Sequence, residues 1–286
     1  MRVFHCSDVH ITGNYSSKTL FQLGWRRWPA LMELRFGGRA HAYVNAQSTL
    51  ARLAQLGAET ADHFILSGDV TAYALEEEFQ GAQAALGALA HDPKRCTVIP
   101  GNHDVYTPEA KAARRFERHF GHLTVSDWPE YCREEGFPFV RLLGDAAAIV
   151  GLCSARVPAL PGFSFGWVGD AQRQALSEIL ADKRLSARAV LVVVHHAPKA
   201  HDGGRDRPLH GLKDADALMA MLPGPRFAIL HGHIHKRYHH PATAHSPHIF
   251  GAGTSTAAGK EGYWLIDIED GVIRQGTRGV LEGAPG

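Results

Sequence analysis

Five short segments of this chain bring carboxylate, amide and imidazole side chains together: Asp8-Val9-His10, Gly68-Asp69, Gly101-Asn102-His103-Asp104, His195-His196 and Gly232-His233-Ile234-His235. Oxygen and nitrogen donors without a thiolate suit Mn, Fe, Zn or Co, and two such cations about 3.5–4 Å apart can drive hydrolysis at phosphorus. Asp8 and His10 lie two residues apart, so in extended chain both side chains project to one side and can reach one ion. Asp69 has two carboxylate oxygens and can bridge two cations, which an imidazole nitrogen cannot do. Asn102 offers a neutral amide oxygen to a hard cation. His103 is then left to face substrate, with Asp104 available to hold its ring and raise its basicity. His195 and His196 are adjacent and point opposite ways, so one of the two is a ligand. His233 and His235 repeat the spacing of the first pair.

Each segment alone has a plainer explanation. An Asp-x-His triplet arises often by chance, Asp69 suits a turn or a helix cap, and Asn102 suits a turn. The chain carries 19 histidines, so their abundance proves nothing, and His239, His240, His245 and His248 read as solvated or structural. The weight rests on order and context, because each segment follows an apolar run. Such runs cover residues 3–6, 64–66, 97–99, 189–194 and 227–230, with another at 146–153, and they have the composition of strands covered on both faces.

Helical patterns lie between many of these runs. Leu50, Leu53, Ala54 and Leu56 mark a helix expected to stop at Gly57, and Phe79, Leu86 and Leu89 mark a second. Thr107-Pro108 has the form of a cap followed by proline at the first helical position. Leu176, Ile179 and Leu180 give another helix, and residues 218–222 one more. This alternation predicts an α/β fold with its chemistry on loops at strand ends. From His248 the pattern changes to strands and turns: 263–268, a turn at Glu269-Asp270-Gly271, then 272–275. A single domain over 1–286 is expected, with a helical insertion at 20–40, where Trp25, Trp28 and Phe36 alternate with Arg26, Arg27 and Arg35. A basic, aromatic, amphipathic piece can cap a site, touch lipid or contact another subunit, or simply pack on the core with its arginines in water.

With 30 Lys+Arg against 29 Asp+Glu, no global field favours nucleic acid or an anionic membrane, so an anionic substrate must be held locally. Cys6, Cys96, Cys132 and Cys153 are scattered, and most sit in or beside apolar runs, which implies no disulfide framework. The first ligand pair follows Met1 so closely that no leader is expected, and no apolar run reaches about 18 residues. A cytoplasmic location is the expectation.

The ordered set resembles the calcineurin-like metallophosphoesterase superfamily, whose pattern D-x-H, G-D-x-x-D/Y, G-N-H-D/E, H, G-H-x-H is matched from Asp8 to His235. The resemblance implies a four-layer αββα sandwich of two mixed sheets flanked by helices, with a dinuclear site at strand ends. It assigns one ion to Asp8, His10, Asp69 and His235 and the other to Asp69, Asn102, His195 and His233, making Asp69 the bridge and His195 the ligand of its pair. It also implies two divalent or trivalent ions (Mn, Fe or Zn), attack by a metal-bridging hydroxide, and His103 as the group that stabilises the transition state or protonates the leaving alkoxide. One position departs: three residues after Asp69 stands Ala72 in place of Asp or Tyr, although Tyr73 is adjacent.

Length and motif forms most resemble the bacterial cyclic-nucleotide-phosphodiesterase-like branch, which implies a small phosphodiester substrate and, as an extension, monoesters. An alternative is a UDP-2,3-diacylglucosamine hydrolase, in which basic aromatic pieces like 20–40 accommodate acyl chains; Trp25, Arg26, Arg27 and Trp28, together with His196, are then the candidate substrate contacts, with peripheral lipid contact through 20–40. A third possibility is a non-catalytic binding scaffold of the same fold. All seven ligand candidates and His103 are present, which speaks against it.

Overall fold

The computed structural model describes residues 1–13, 24–28, 32, 39–158, 160 and 162–281. Among them run eleven strands: β1 (Arg2–Cys6), β2 (His63–Leu66), β3 (Cys96–Val98), β4 (Phe139–Leu143), β5 (Ala147–Gly151), β6 (Ala189–Val193), β7 (Phe227–His231), β8 (Arg237–His240), β9 (His248–Ala252), β10 (Gly262–Glu269) and β11 (Val272–Val280). They form two mixed sheets, one in the order β11-β10-β1-β2-β3 and the other β4-β5-β6-β7-β9-β8. Within the first, β1, β2 and β3 are parallel and β10 runs against β1. Within the second, β5, β6, β7 and β9 are parallel, and β4 and β8 close the edges antiparallel.

Side-chain alternation along the strands divides the apolar residues among three cores. Val3 and Ile65 of the first sheet meet Leu191, Val193 and Leu230 of the second in a layer between the sheets. Phe4, Cys6, Phe64 and Leu66 point the other way, onto helices α1 (Ala46–Thr60) and α2 (Glu76–Leu86) through Leu50, Leu53 and Phe79. Val190, Val192 and Val194 likewise face α3 (Asp170–Ala181) and α4 (Ala215–Ala220) through Leu176, Ile179 and Leu218. Helices, sheet, sheet and helices thus make the expected αββα sandwich, and the three cores are what hold the two sheets face to face.

Several expectations need adjusting. Helix α1 does not stop at Gly57 but runs to Thr60. That glycine is a packing device: a Cβ there would press into the Phe64 ring and against Phe4. Strand β4 went unread, and β11 extends to Val280, well past the 272–275 expected. Thr107 does cap a short helix, Pro108–Ala112, by accepting from the Ala110 N–H at 3.2 Å. The four cysteines are free thiols. Most of the 20–40 insertion lies outside the described residues; within it are a 3₁₀ turn at Trp25–Arg27 and the start of a short helix at Arg39–Ala42. No helix among the described residues is long and apolar enough to cross a membrane.

Candidate metal centre

Register explains why distant segments meet. Cys6 pairs with Leu66 and Leu66 with Val98 in parallel ladders, so the loops carrying Asp8, Asp69 and Asn102 leave the first sheet at one level. Val193 pairs with Leu230 in the second sheet, which delivers His195 and His233 to the same edge. The loops are sharply turned: Asp8 (φ 52°), His10 (47°), Asp69 (50°), His233 (70°) and His235 (58°) all lie in the left-handed region. Close approach is also built in. A Cβ on Gly68 would meet His195 Nδ1 and one on Gly101 would meet Asp69 Oδ1, so both positions need glycine.

The structure brings the seven expected ligands together. Asp8, His10 and His195 are wholly buried, and Asp69, Asn102 and His233 nearly so. His10 Nε2 and His235 Nε2 face each other at 3.1 Å, and His235 Nε2 lies 3.2 Å from Asp8 Oδ1. Asp69 Oδ2 is 3.3 Å from His195 Nε2 and 4.0 Å from His10 Nε2, so one oxygen stands between the two halves of the cluster. Its other oxygen accepts the His103 backbone N–H at 2.8 Å. Both oxygens of Asp8 accept the His233 N–H, at 3.0 and 2.9 Å.

The donor set fits cations. His195 Nδ1 lies 2.9 Å from the Ser67 carbonyl and His233 Nε2 lies 2.8 Å from that of His210; carbonyls only accept, so both nitrogens carry the proton. His195 Nε2 and His233 Nδ1 are then lone-pair atoms in the neutral rings, and they converge on Asn102 Oδ1 at 3.2 and 3.1 Å. Three acceptors around one point repel unless a positive charge sits among them. The carboxylates make the same demand. Burial alone would raise the Asp69 carboxyl, yet the surrounding His195 and His103 rings pull it well below the usual range. Burial likewise works against a charged His195, but the Asp69 and Asp8 carboxylates outweigh it and raise the ring to about 9, so that without a cation a proton on Nε2 would take the place of the positive charge these carboxylates call for. A divalent or trivalent ion would supply that charge.

Other expected residues fall differently. His103 is half-buried, with its ring 4.8 Å from that of His10, and its Nδ1 donates to the Ala72 carbonyl at 2.5 Å. Asp104 therefore does not orient His103, as had been expected. Its carboxylate instead accepts the N–H groups of Val70, Thr71 and Gly101 at 3.1, 2.8 and 2.9 Å and the Thr71 hydroxyl at 2.8 Å, tying two ligand loops together. Ala72 is where the expected family side chain is missing, and its backbone carbonyl does the orienting. His196 has no face for a substrate: it is wholly buried, its Nδ1 on the Ser154 hydroxyl at 2.8 Å and its Nε2 on the Ser164 carbonyl at 3.0 Å.

A cavity of about 600 Å³ opens over the centre, lined by Asp69, Asn102, His103, His233 and His235 on its floor and by Arg205, Arg207 and Lys236 higher up. Trp25, Arg26, Arg27 and Trp28 are not among its described lining. Arg27 is a structural residue, buried and donating to the Tyr73 carbonyl at 3.0 Å and the Thr107 hydroxyl at 3.3 Å. Arg26 donates to the Pro158 carbonyl at 2.8 Å, while Trp25 and Trp28 are exposed. Sequence reasoning missed the pair Asp206 and His210, joined at 2.5 Å, whose imidazole lies tilted by 34° against that of His233 with ring centres 4.0 Å apart. The signal available was an Asp and a His four residues apart in the loop after the His195-His196 segment.

A family model described as calcineurin-like phosphoesterase matches residues 1–237. No curated protein matches the chain significantly. Among solved structures, a purple acid phosphatase from yellow lupin (Lupinus luteus) seeds superposes with a TM-score of 0.57 at 12% identity, covering 97% of this chain and 53% of that one. A Staphylococcus aureus protein assigned as a 5′-nucleotidase, in complex with alpha-ketoglutarate, gives 0.50 at 13% identity, covering 99% and 55%. At such identities the likeness is one of fold, and this chain spans about half the length of either structure.

Proposed function

The chain belongs to the calcineurin-like phosphoesterase family, and on that footing we propose that it is a cytoplasmic hydrolase of small phosphodiesters, with monoesters as secondary substrates. Two ions (Mn, Fe or Zn) would be held by Asp8, His10, Asp69 and His235 on one side and by Asp69, Asn102, His195 and His233 on the other. When bound they supply charge neutralisation at the phosphoryl oxygens and acidify the attacking water. The observation that carries this reading is the convergence of His195 Nε2, His233 Nδ1 and Asn102 Oδ1 beside the Asp69 carboxylate, which leaves acceptors alone around one point once both rings are neutral.

The chain's own residues do the rest. Asp104 fixes the loops that carry Asp69 and Asn102, so the floor of the cavity is set before substrate arrives. His103, held through Nδ1 by the Ala72 carbonyl, presents its ring to the cavity and gives a proton to the leaving alkoxide. A screen of purified protein loaded with Mn, Fe or Zn against bis-p-nitrophenyl phosphate, cyclic AMP, p-nitrophenyl phosphate and UDP-2,3-diacylglucosamine tests the reading. Turnover of the diesters, abolished in Asp69→Ala and Asn102→Ala, is the expected result; activity on the monoester alone would refute it. The exposed Trp25 and Trp28 beside Arg26 favour the second reading, a lipid nucleotide substrate, and preference for the UDP-lipid in the same screen would establish it.

A further inference from the structure

A second cavity of about 520 Å³ adjoins the one over the metal centre, and His201, His235 and Lys236 line both. Beyond this shared wall it is lined by Arg237 of β8, Arg278 of β11 and Lys260 in the loop before β10, with Glu261 its only carboxylate. Four cationic side chains against one acid form a local excess in a chain whose formal charge is +1 overall.

Glu261 lies near enough to Arg237 to act on its charge, but it does not form an ion pair with it. Among the described residues no carboxylate forms an ion pair with Lys236, Arg237, Lys260 or Arg278; the Lys236 ammonium instead lies 2.9 Å from His201 Nε2. Arg237 is held in place by its own donors, Nε to the Ala252 carbonyl at 2.9 Å and a terminal nitrogen to the Lys260 carbonyl at 3.1 Å. On the other wall of the main cavity the balance differs: Arg205 pairs with Asp216, and Asp206 is engaged by His210. Arg207 on that wall has no carboxylate within ion-pair distance among the described residues, and Lys236 lines both cavities, so unpaired positive charge is present in each and is densest in the side cavity.

We propose that this side cavity is an anion subsite, so that the preferred substrate carries a second phosphoryl group beyond the ester being cleaved. The inference rests on the phosphodiesterase reading, with the scissile group over Asp69, Asn102 and His103 and the second anion across the Lys236 wall, where the guanidinium of Arg278 and the ammonium of Lys260 bind its oxygens.

The test uses two esters that differ only in the extra charge, thymidine 5′-(p-nitrophenyl phosphate) with and without a 3′-phosphate. The wild-type protein, metal-loaded, is expected to prefer the 3′-phosphorylated ester by about tenfold or more in kcat/KM, chiefly through KM. In the Lys260→Ala/Arg278→Ala double variant that ratio should fall towards one, and Arg278→Lys should keep most of it; thermal melting confirms that the variants fold. Equal use of the two esters by the wild type, or an undiminished preference in the folded double variant, overturns the proposal. If neither ester is hydrolysed with any metal, the phosphodiesterase reading fails, and calorimetry then judges the subsite by itself. Thymidine 3′,5′-bisphosphate should bind about tenfold tighter than the 5′-monophosphate, and equal binding overturns the subsite.

Discussion

The floor of the cavity and the 24–28 segment are built on different principles. On the floor, Asp8, His10 and His195 are wholly buried, and the ligand side chains are fixed by backbone partners such as the Ser67 and His210 carbonyls and the His103 and His233 N–H groups. In the 24–28 segment, Trp25 is 62% and Trp28 52% exposed, and Arg26 donates to the Pro158 carbonyl. The floor is set by strand register, which fixes the ends of parallel strands at one level. The 24–28 segment reaches the rest of the chain through long-range contacts, among them those of Arg26 and Arg27 to the Pro158 and Tyr73 carbonyls. In the proposed reading, chemistry belongs to the first region and, for a lipid substrate, its choice to the second.

Substitutions can break or sharpen that contrast. The largest effect is expected for Asp69→Ala, where loss of the shared carboxylate oxygen should lower kcat/KM by about 10³-fold or more, the scale of losing a principal electrostatic stabiliser. Steady-state assays on bis-p-nitrophenyl phosphate, with metal content measured in parallel, check it. His103→Ala should cost about 10²-fold on substrates with alkoxide leaving groups and far less on p-nitrophenyl esters, whose leaving group needs no proton. Comparing a methyl and a p-nitrophenyl diester would expose a different role if the two losses were equal. Arg27→Ala comes next. It strips donors from the Tyr73 carbonyl and the Thr107 hydroxyl and should lower stability by about 1–3 kcal/mol in urea titrations, with little change in kcat of the surviving protein. The smallest effect is expected for Trp25→Ala and Trp28→Ala, within roughly twofold on water-soluble esters, as for other surface changes. A large loss there would move the 24–28 segment into the chemistry.

The contrast also explains what could be read beforehand. Short runs of β-branched and aliphatic residues announced the parallel strands, and because chemistry-bearing residues follow such runs directly, the meeting of the seven candidate residues at one edge was legible. The choice between His195 and His196 was legible in principle. Ala189, Leu191 and Val193 face the layer between the sheets while Val190, Val192 and Val194 face the helices, so parity sends His195 to the centre and His196 to the helix side. What escaped was tertiary. Asp104 beside His103 looked like its partner, yet the left-handed turn at Asp69 brings the Val70 and Thr71 N–H groups onto Asp104 and leaves His103 to the Ala72 carbonyl. Nothing local in Arg27 distinguishes a buried structural arginine from a surface one, and the side cavity is assembled from β8, β11 and the loop before β10, which only the sheets bring together.

The left-handed backbone at five of the seven ligand candidates has an evolutionary and practical consequence. Each such residue costs about 1–2 kcal/mol relative to a relaxed conformation, less for the two aspartates. The chain therefore gives up folding stability to hold its donors in place, and a library selected for heat resistance without selection for turnover should gather glycine at His10, His233 and His235 first. Thermal tolerance and activity would then drift apart at the same few positions.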